Sequence, residues 1–183
     1  MNKSLAVKLE RKPPSLKSCP LVSLLLRFAS VVCVQLFIIS SMAIAAEIKI
    51  PVASDLEEDG RIGRNSNTVI LLYFSAPDCR YCMKLEEAVL KPMLRSGDYD
   101  KQVILRKVDW RSPATVVGFS GQQISLQNLA EHYAVKVTPT LVFVDPEGRE
   151  VAPRMLGFQS ADFFWYYMDN NIKQSSIEMG SDL

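Results

Sequence analysis

Histidine is almost missing from this chain, with His132 the only one among 183 residues. Cysteine is scarce as well: there are four, and Cys19 and Cys33 fall in the first 45 residues, which leaves Cys79 and Cys82 for everything beyond them. A structural zinc site needs about four ligands. Two thiols and an imidazole fifty residues away on a separate, helix-like stretch do not supply them, so the sequence calls for no metal and no other cofactor. Covalent haem attachment would need a histidine directly after the second cysteine, and Met83 stands there. A disulfide-stapled miniprotein is excluded by the same scarcity.

Internal repeats, low-complexity tracts and a basic stripe are also lacking. Six of the 21 Lys and Arg residues lie in positions 1–45 against one acid, Glu10, leaving 15 basic and 19 acidic residues beyond them. A mildly acidic body excludes nucleic acid as the expected partner. With 48% apolar and 22% charged residues, the composition is that of an ordinary globular protein with one expected domain, not a disordered or collagen-like chain.

The basic excess belongs to a segment that reads as a targeting signal. Lys3, Lys8, Arg11, Lys12 and Lys17 precede Leu21–Leu26 and, after Arg27, an apolar run from Phe28 to Ile39 that closes on Ser40, Ser41 and small residues. Ala43 and Ala45 fit an A-x-A cleavage pattern, with the cut before Ala46. The alternative is an uncleaved anchor, because Phe28–Ala46 is 19 residues, close to the ~20 needed to span a bilayer. Either way residues 46–183 are exported. An oxidising compartment and a lone Cys-x-x-Cys pair together point to thiol–disulfide exchange.

Hydrophobic patterning divides the body into alternating elements. Asp55–Arg64 is a polar approach segment with a helical turn or two that ends at Gly60 and Gly63, and Thr68–Ser75 is a continuous apolar run typical of a strand buried on both faces. Ala76-Pro77-Asp78 breaks it. Cys82, Leu85, Val89 and Leu90 then recur at helical spacing until Pro92, which ends or kinks the helix. Val103–Val108 is a second strand, 111–123 a loop, and Ser125 the cap of a short helix over Leu126–Tyr133. Val137–Val144 is a third strand, Asp145-Pro146-Glu147-Gly148 a turn, Arg149–Leu156 the returning antiparallel strand, and Phe163 to about Ile172 a final helix opened by Ser160 or Asp162. In the aromatic run Phe163–Met168 most side chains are expected in the core, with one or two rings exposed. His132 is expected on the surface. The order predicts an α/β fold whose Cys-x-x-Cys sits at the first strand-to-helix junction of a βαβ crossover, at the carboxyl edge of the sheet. Free N–H groups and the positive dipole end at a helix start stabilise a thiolate there.

The stretch Phe74-Ser75-Ala76-Pro77-Asp78-Cys79-Arg80-Tyr81-Cys82-Met83-Lys84-Leu85, followed some sixty residues on by Val137-Thr138-Pro139-Thr140-Leu141, resembles the thioredoxin superfamily. Within it the chain is similar to exported bacterial thioredoxin-like proteins: the sulfur-oxidation-associated periplasmic thioredoxins and the catalytic domain of Dsb-type disulfide isomerases. The resemblance covers about residues 52–172. It implies a thioredoxin-like fold, with a central mixed β-sheet flanked by helices. It also implies a redox-active disulfide between Cys79, the exposed attacking thiol, and Cys82, the buried resolving thiol, with Pro139 as a cis-proline facing them and Thr138 alongside.

The sequence departs from the cytosolic pattern in three places. Asp78 stands where thioredoxin has tryptophan, Arg80-Tyr81 replaces the Gly-Pro spacer, and the buried acid six residues before the first cysteine is Tyr73, so proton handling at Cys82 must fall to water or another group. Arg80 favours a Cys79 thiolate and Asp78 opposes it, each weakly if exposed. The reading that follows is a periplasmic protein-disulfide oxidoreductase, monomeric, acting on client proteins with disulfides and kept reduced by a membrane electron donor. A metallochaperone or cytochrome-maturation helper, holding copper on the thiolates or reducing an apoprotein, is the alternative. A binding module with a purely structural disulfide is a third, against which stands that a bridge closing so short a loop would stabilise little.

Overall fold

The computed structural model describes residues 47–181, so the expected leader and its expected cleavage before Ala46 lie outside the described residues. Helix α1 (Leu56–Ser66) leads into β1 (Val69–Ser75). Helix α2 follows in three consecutive pieces, Arg80–Leu85, Glu86–Leu90 and Lys91–Ser96, and then comes β2 (Val103–Asp109). A hairpin of β3 (Thr115–Val117) and β4 (Gln123–Ser125) precedes α3 (Leu126–His132), β5 (Thr140–Val144), β6 (Glu150–Leu156) and α4 (Ala161–Ser181). Among the described residues no helix is long and apolar enough to cross a membrane.

The main sheet has the order β2-β1-β5-β6. β1 runs parallel to β2, with Tyr73 opposite Lys107 and Ser75 opposite Asp109. It runs antiparallel to β5, and β5 antiparallel to β6, so the sheet is mixed. All seven residues of β1 are buried, as a central strand covered on both faces requires. Successive side chains point to opposite faces. Val69, Leu71 and Tyr73 pack with Leu85, Val89, Leu90 and Met93 of α2 and Phe164, Met168 and Ile172 of α4. Ile70, Leu72 and Phe74 pack with Leu56 of α1 and Leu126, Leu129 and Ala130 of α3 on the other side. Each such aliphatic side chain taken out of water is worth about 1.5–3 kcal/mol.

Local chemistry accounts for the element ends. Asp55 caps α1 by accepting from the Glu58 N–H, and Ser125 caps α3 by accepting from the Asn128 N–H at 3.0 Å. The turn after β5 is closed by Asp145, whose Oδ1 accepts from the N–H groups of Glu147 and Arg149.

Four expectations are corrected. The approach segment is an eleven-residue helix that runs through Gly60 and Gly63, because those glycines let it pass against the β5–β6 turn: a Cβ on Gly60 would lie 2.3 Å from the Pro146 carbonyl oxygen. Of the two expectations for Pro92, the ending is overturned, because the helix runs on to Ser96. The helix widens over Glu86–Leu90, with the Lys91 N–H bonded to the Glu86 carbonyl five residues back. That wider turn gives the proline ring room against the preceding turn, where a regular α-helix would not. The 111–123 loop contains the β3–β4 hairpin, tied to the body by Asp55 beside Val117. The last helix continues to Ser181, and three of its rings rather than one or two are exposed: Phe163, Tyr166 and Tyr167.

Candidate active site

The end of β1 and the start of α2 bring the two cysteines together. Ala76 and Pro77 leave the sheet, and Asp78 turns the chain at φ 58, a left-handed conformation that short polar side chains tolerate better than bulky ones. Cys79 is the N-cap of α2: the Cys82 N–H donates to its Sγ at 3.2 Å, and the Met83 N–H to its carbonyl at 3.1 Å. The two cysteines form a disulfide. Cys79 is partly exposed and Cys82 is 2% exposed, so an incoming sulfur reaches the first and not the second. When the bond is reduced, negative charge on the Cys79 sulfur falls where a helix N–H donor already points.

The rim is open and charged. Asp78 and Arg80 are exposed, and Tyr81 is 56% exposed with Lys84 over its ring, 5.8 Å from the centroid. Across from the disulfide, Thr138–Pro139 is a cis peptide bond, and the Thr138 hydroxyl donates to Cys79 Sγ at 3.4 Å. Pro139 is buried, with its carbonyl accepting from the Gly157 N–H, while Thr138 lies two residues ahead of β5, outside the sheet ladder. The structure therefore brings Asp78, Cys79, Arg80, Tyr81, Cys82, Thr138 and Pro139 to one edge of the sheet.

Beneath Cys82 lies a group of residues that the motif does not announce. The Tyr73 hydroxyl donates to Glu86 Oε1 at 2.9 Å and lies 3.4 Å from the Cys82 carbonyl oxygen. Lys107 Nζ reaches the same Glu86 oxygen at 2.6 Å and stands 5.8 Å over the Tyr73 ring. Burial first, and the Glu86 charge second, push the Tyr73 hydroxyl's pKa far up, so it remains a hydrogen-bond donor at any physiological pH. Two sequence signals point to these residues: Glu86 is four positions after Cys82, on one helix face, and Lys107 falls opposite Tyr73 once β1 and β2 are registered in parallel.

His132 is exposed, edge-on to Tyr133 and apart from the cysteines in the fold. Among the described residues no three His, Cys, Asp or Glu gather to hold a metal ion. An open groove of about 550 Å³ between β6 and α4, lined by Leu156, Phe163, Tyr166 and Tyr167, has no lining residue in the Cys-x-x-Cys segment.

The profile of the thioredoxin-like domain matches residues 57–172. No curated protein matches the chain significantly. Among solved structures, an oxidoreductase named DsbH is 19% identical over 73% of this chain and 96% of its own, with a TM-score of 0.51. The reduced periplasmic thioredoxin SoxS from Paracoccus pantotrophus is 22% identical over 58% of this chain and 98% of its own, with a TM-score of 0.42. A thioredoxin from Thermus thermophilus is 22% identical over 67% of this chain and 87% of its own, with a TM-score of 0.49. At 19% identity the likeness to DsbH is one of fold alone.

Proposed function

Because the chain belongs to the thioredoxin-like family and carries a Cys79–Cys82 disulfide, which make it a thiol–disulfide oxidoreductase, we propose that it acts on exported proteins, reducing or reshuffling their disulfides. One observation carries the reading: a reachable Cys79 sulfur, capped by a helix N–H and touched by the Thr138 hydroxyl, stands over an unreachable Cys82. Cys79 attacks a client disulfide through its thiolate and forms a mixed disulfide. Cys82 then attacks Cys79, and the client leaves reduced. The Thr138 backbone, outside the ladder, is the edge along which an extended client segment pairs, with Pro139 holding that edge toward the disulfide.

In this reading residues 1–45 export the body to the periplasm and are removed before Ala46. The protein works as a monomer and is returned to the dithiol by a membrane electron donor. The test is the potential of the Cys79–Cys82 pair against glutathione, expected at about −150 to −230 mV, between the thioredoxin and strong-oxidant extremes. Insulin reduction and the refolding of a scrambled disulfide substrate, run on the same preparation, should both proceed, and its intact mass should correspond to a chain beginning near Ala46. A value below about −260 mV would make it a plain reductant, and one above about −130 mV an oxidase; either discards the reading.

A further inference from the structure

Away from the disulfide, Arg106 is bonded to Asp59, Lys107 to Glu86, Lys91 to Glu87 and Arg154 to Glu150. Around the disulfide the cations are unspent. Arg80, Lys84, Arg111 and Lys136 are all exposed, and among the described residues none of them has a carboxylate within ion-pairing distance. Other unpaired cations exist, Arg95 at the far end of α2 for one, but these four share the surroundings of one sulfur. Arg80 follows Cys79 in the first turn of α2, and Lys84, one turn on, holds its ammonium 5.8 Å from the ring centroid of Tyr81, a residue between the two cysteines. Lys136 is two residues before Thr138, whose hydroxyl touches Cys79 Sγ at 3.4 Å, so at most about 7 Å of backbone separates the two. Arg111 lies over the Trp110 ring at 5.8 Å, and the Trp110 N–H is bonded to the carbonyl of Ser75, the last residue of β1. Two acids accompany them: exposed Asp78, and Asp109, which accepts from the Arg111 backbone N–H. The edge is therefore positive on a body that beyond residue 45 has 15 basic and 19 acidic side chains.

We propose that this rim selects clients whose disulfide lies in an acidic segment, with Asp or Glu side chains a few residues from the client's cysteine. This rests on the exchange activity proposed above. A client strand laid along Thr138 has Arg80 and Lys84 of α2 on one side of its cysteine and Lys136 on the other, so carboxylates flanking that cysteine meet cations that have no partner of their own. One exposed cation is worth little, because water and salt screen it. Several of one sign acting on the same segment raise the rate of encounter, by about tenfold and upward at low ionic strength. A basic segment is repelled by the same charges, so the rim turns clients away as well as drawing them in. The gain lies in capture and not in the bond chemistry: Cys79 attacks as before, and an uncharged disulfide gains nothing from the rim.

The experiment compares three disulfide-linked model peptides of one length that differ only in the residues beside the cysteine: aspartate and glutamate, serine, or lysine. Their reduction by the full-chain protein, itself reduced with dithiothreitol and freed of it, is followed in about 0.01 M and about 1 M sodium chloride, where the Debye lengths are about 30 and 3 Å. Each rate is divided by that of the same peptide with dithiothreitol in the same salt, which removes the peptide's own reactivity. The acidic peptide should react at least about tenfold faster than the basic one at low salt, with the serine peptide between them, and the ratio should fall below about threefold at high salt. In a combined Lys84→Glu and Lys136→Glu variant the low-salt ratio should drop to about one or invert. Because the ratio is taken within one preparation, a general loss of activity does not imitate this result. Should that variant fail to fold by circular dichroism, Lys84→Gln with Lys136→Gln is measured in its place, and its ratio should be at least about threefold below that of the wild type. Equal rates for the three peptides with the wild type overturn the proposal, as does a preference for the basic one. So does a preference for the acidic one that is unchanged at high salt or in the folded variant, since charge is then not its cause. A wild type that reduces none of the three peptides would instead refute the exchange activity itself.

Discussion

The two cysteines of one motif live in opposite surroundings. Around Cys79 the neighbours are exposed and loosely held: Asp78 and Arg80 stand in solvent, and the firm contacts are a backbone N–H and the Thr138 hydroxyl. Around Cys82 they are packed and paired, with Leu85 and Tyr73 fully buried and Glu86 fixed from two strands at once. The contrast leaves one sulfur open to an incoming group and the other shielded from it. Exposed charges are screened and worth little, so the client side depends on helix geometry; the shielded side has the lower dielectric, where a single carboxylate counts for more.

The largest expected effect breaks the comparison outright. Cys79→Ser should lose disulfide exchange to the buffer background and accumulate no mixed disulfide, whereas Cys82→Ser should accumulate it on client proteins. Non-reducing electrophoresis of the two variants checks this, and the reverse pattern would exchange the two roles. A smaller effect belongs to the shielded side. Tyr99, which hydrogen-bonds Asp169 on α4, is pushed up to about 12 by burial and by that acid, from an ordinary value of 10.0, and Tyr73 and Tyr133 are pushed up further, by burial foremost. A phenol whose folded pKa is raised favours the folded state fully below its unfolded value, and that contribution disappears as pH climbs through the folded value. The denaturant midpoint should therefore hold level up to about pH 10 and fall above it, less steeply in Tyr73→Phe. A level midpoint through pH 12 would count against the packing described for these rings.

The smallest effect lies on the rim. Asp78→Asn, chosen because asparagine also tolerates the left-handed turn, and Arg80→Ala should each change the reaction of Cys79 with a small disulfide by less than about fivefold and in opposite directions. A larger change in either would mean that the rim, not the helix start, sets the reactivity of Cys79.

Most of the frame was legible from the residues. The run Thr68–Ser75 announced a central strand and the helical spacing after Cys79 announced α2, because burial leaves direct marks on local sequence; that Thr138 and Pro139 face the disulfide was an expectation of the family resemblance alone. What was not legible depended on distance. Nothing near residues 111–123 shows that Val117 will lie beside Asp55, and no local signal says that Gly60 is a point of contact with Pro146 and not an ending. The carboxylate beneath Cys82 was hidden for a related reason: its partners Tyr73 and Lys107 are 13 and 21 residues away, and only strand register brings them together.

The widened turn at Glu86–Leu90 also sets the helix's phase. An α-helix advances about 100° per residue, so each residue added to or taken from one piece rotates every side chain beyond it by that angle. The five-residue turn lets the piece carrying Cys82 face the sheet through Leu85 while the piece after Pro92 still presents Met93 to the same core. A chain shortened by one residue there would have to choose between them, turning either the resolving cysteine or the helix's far end away from the layer both now share.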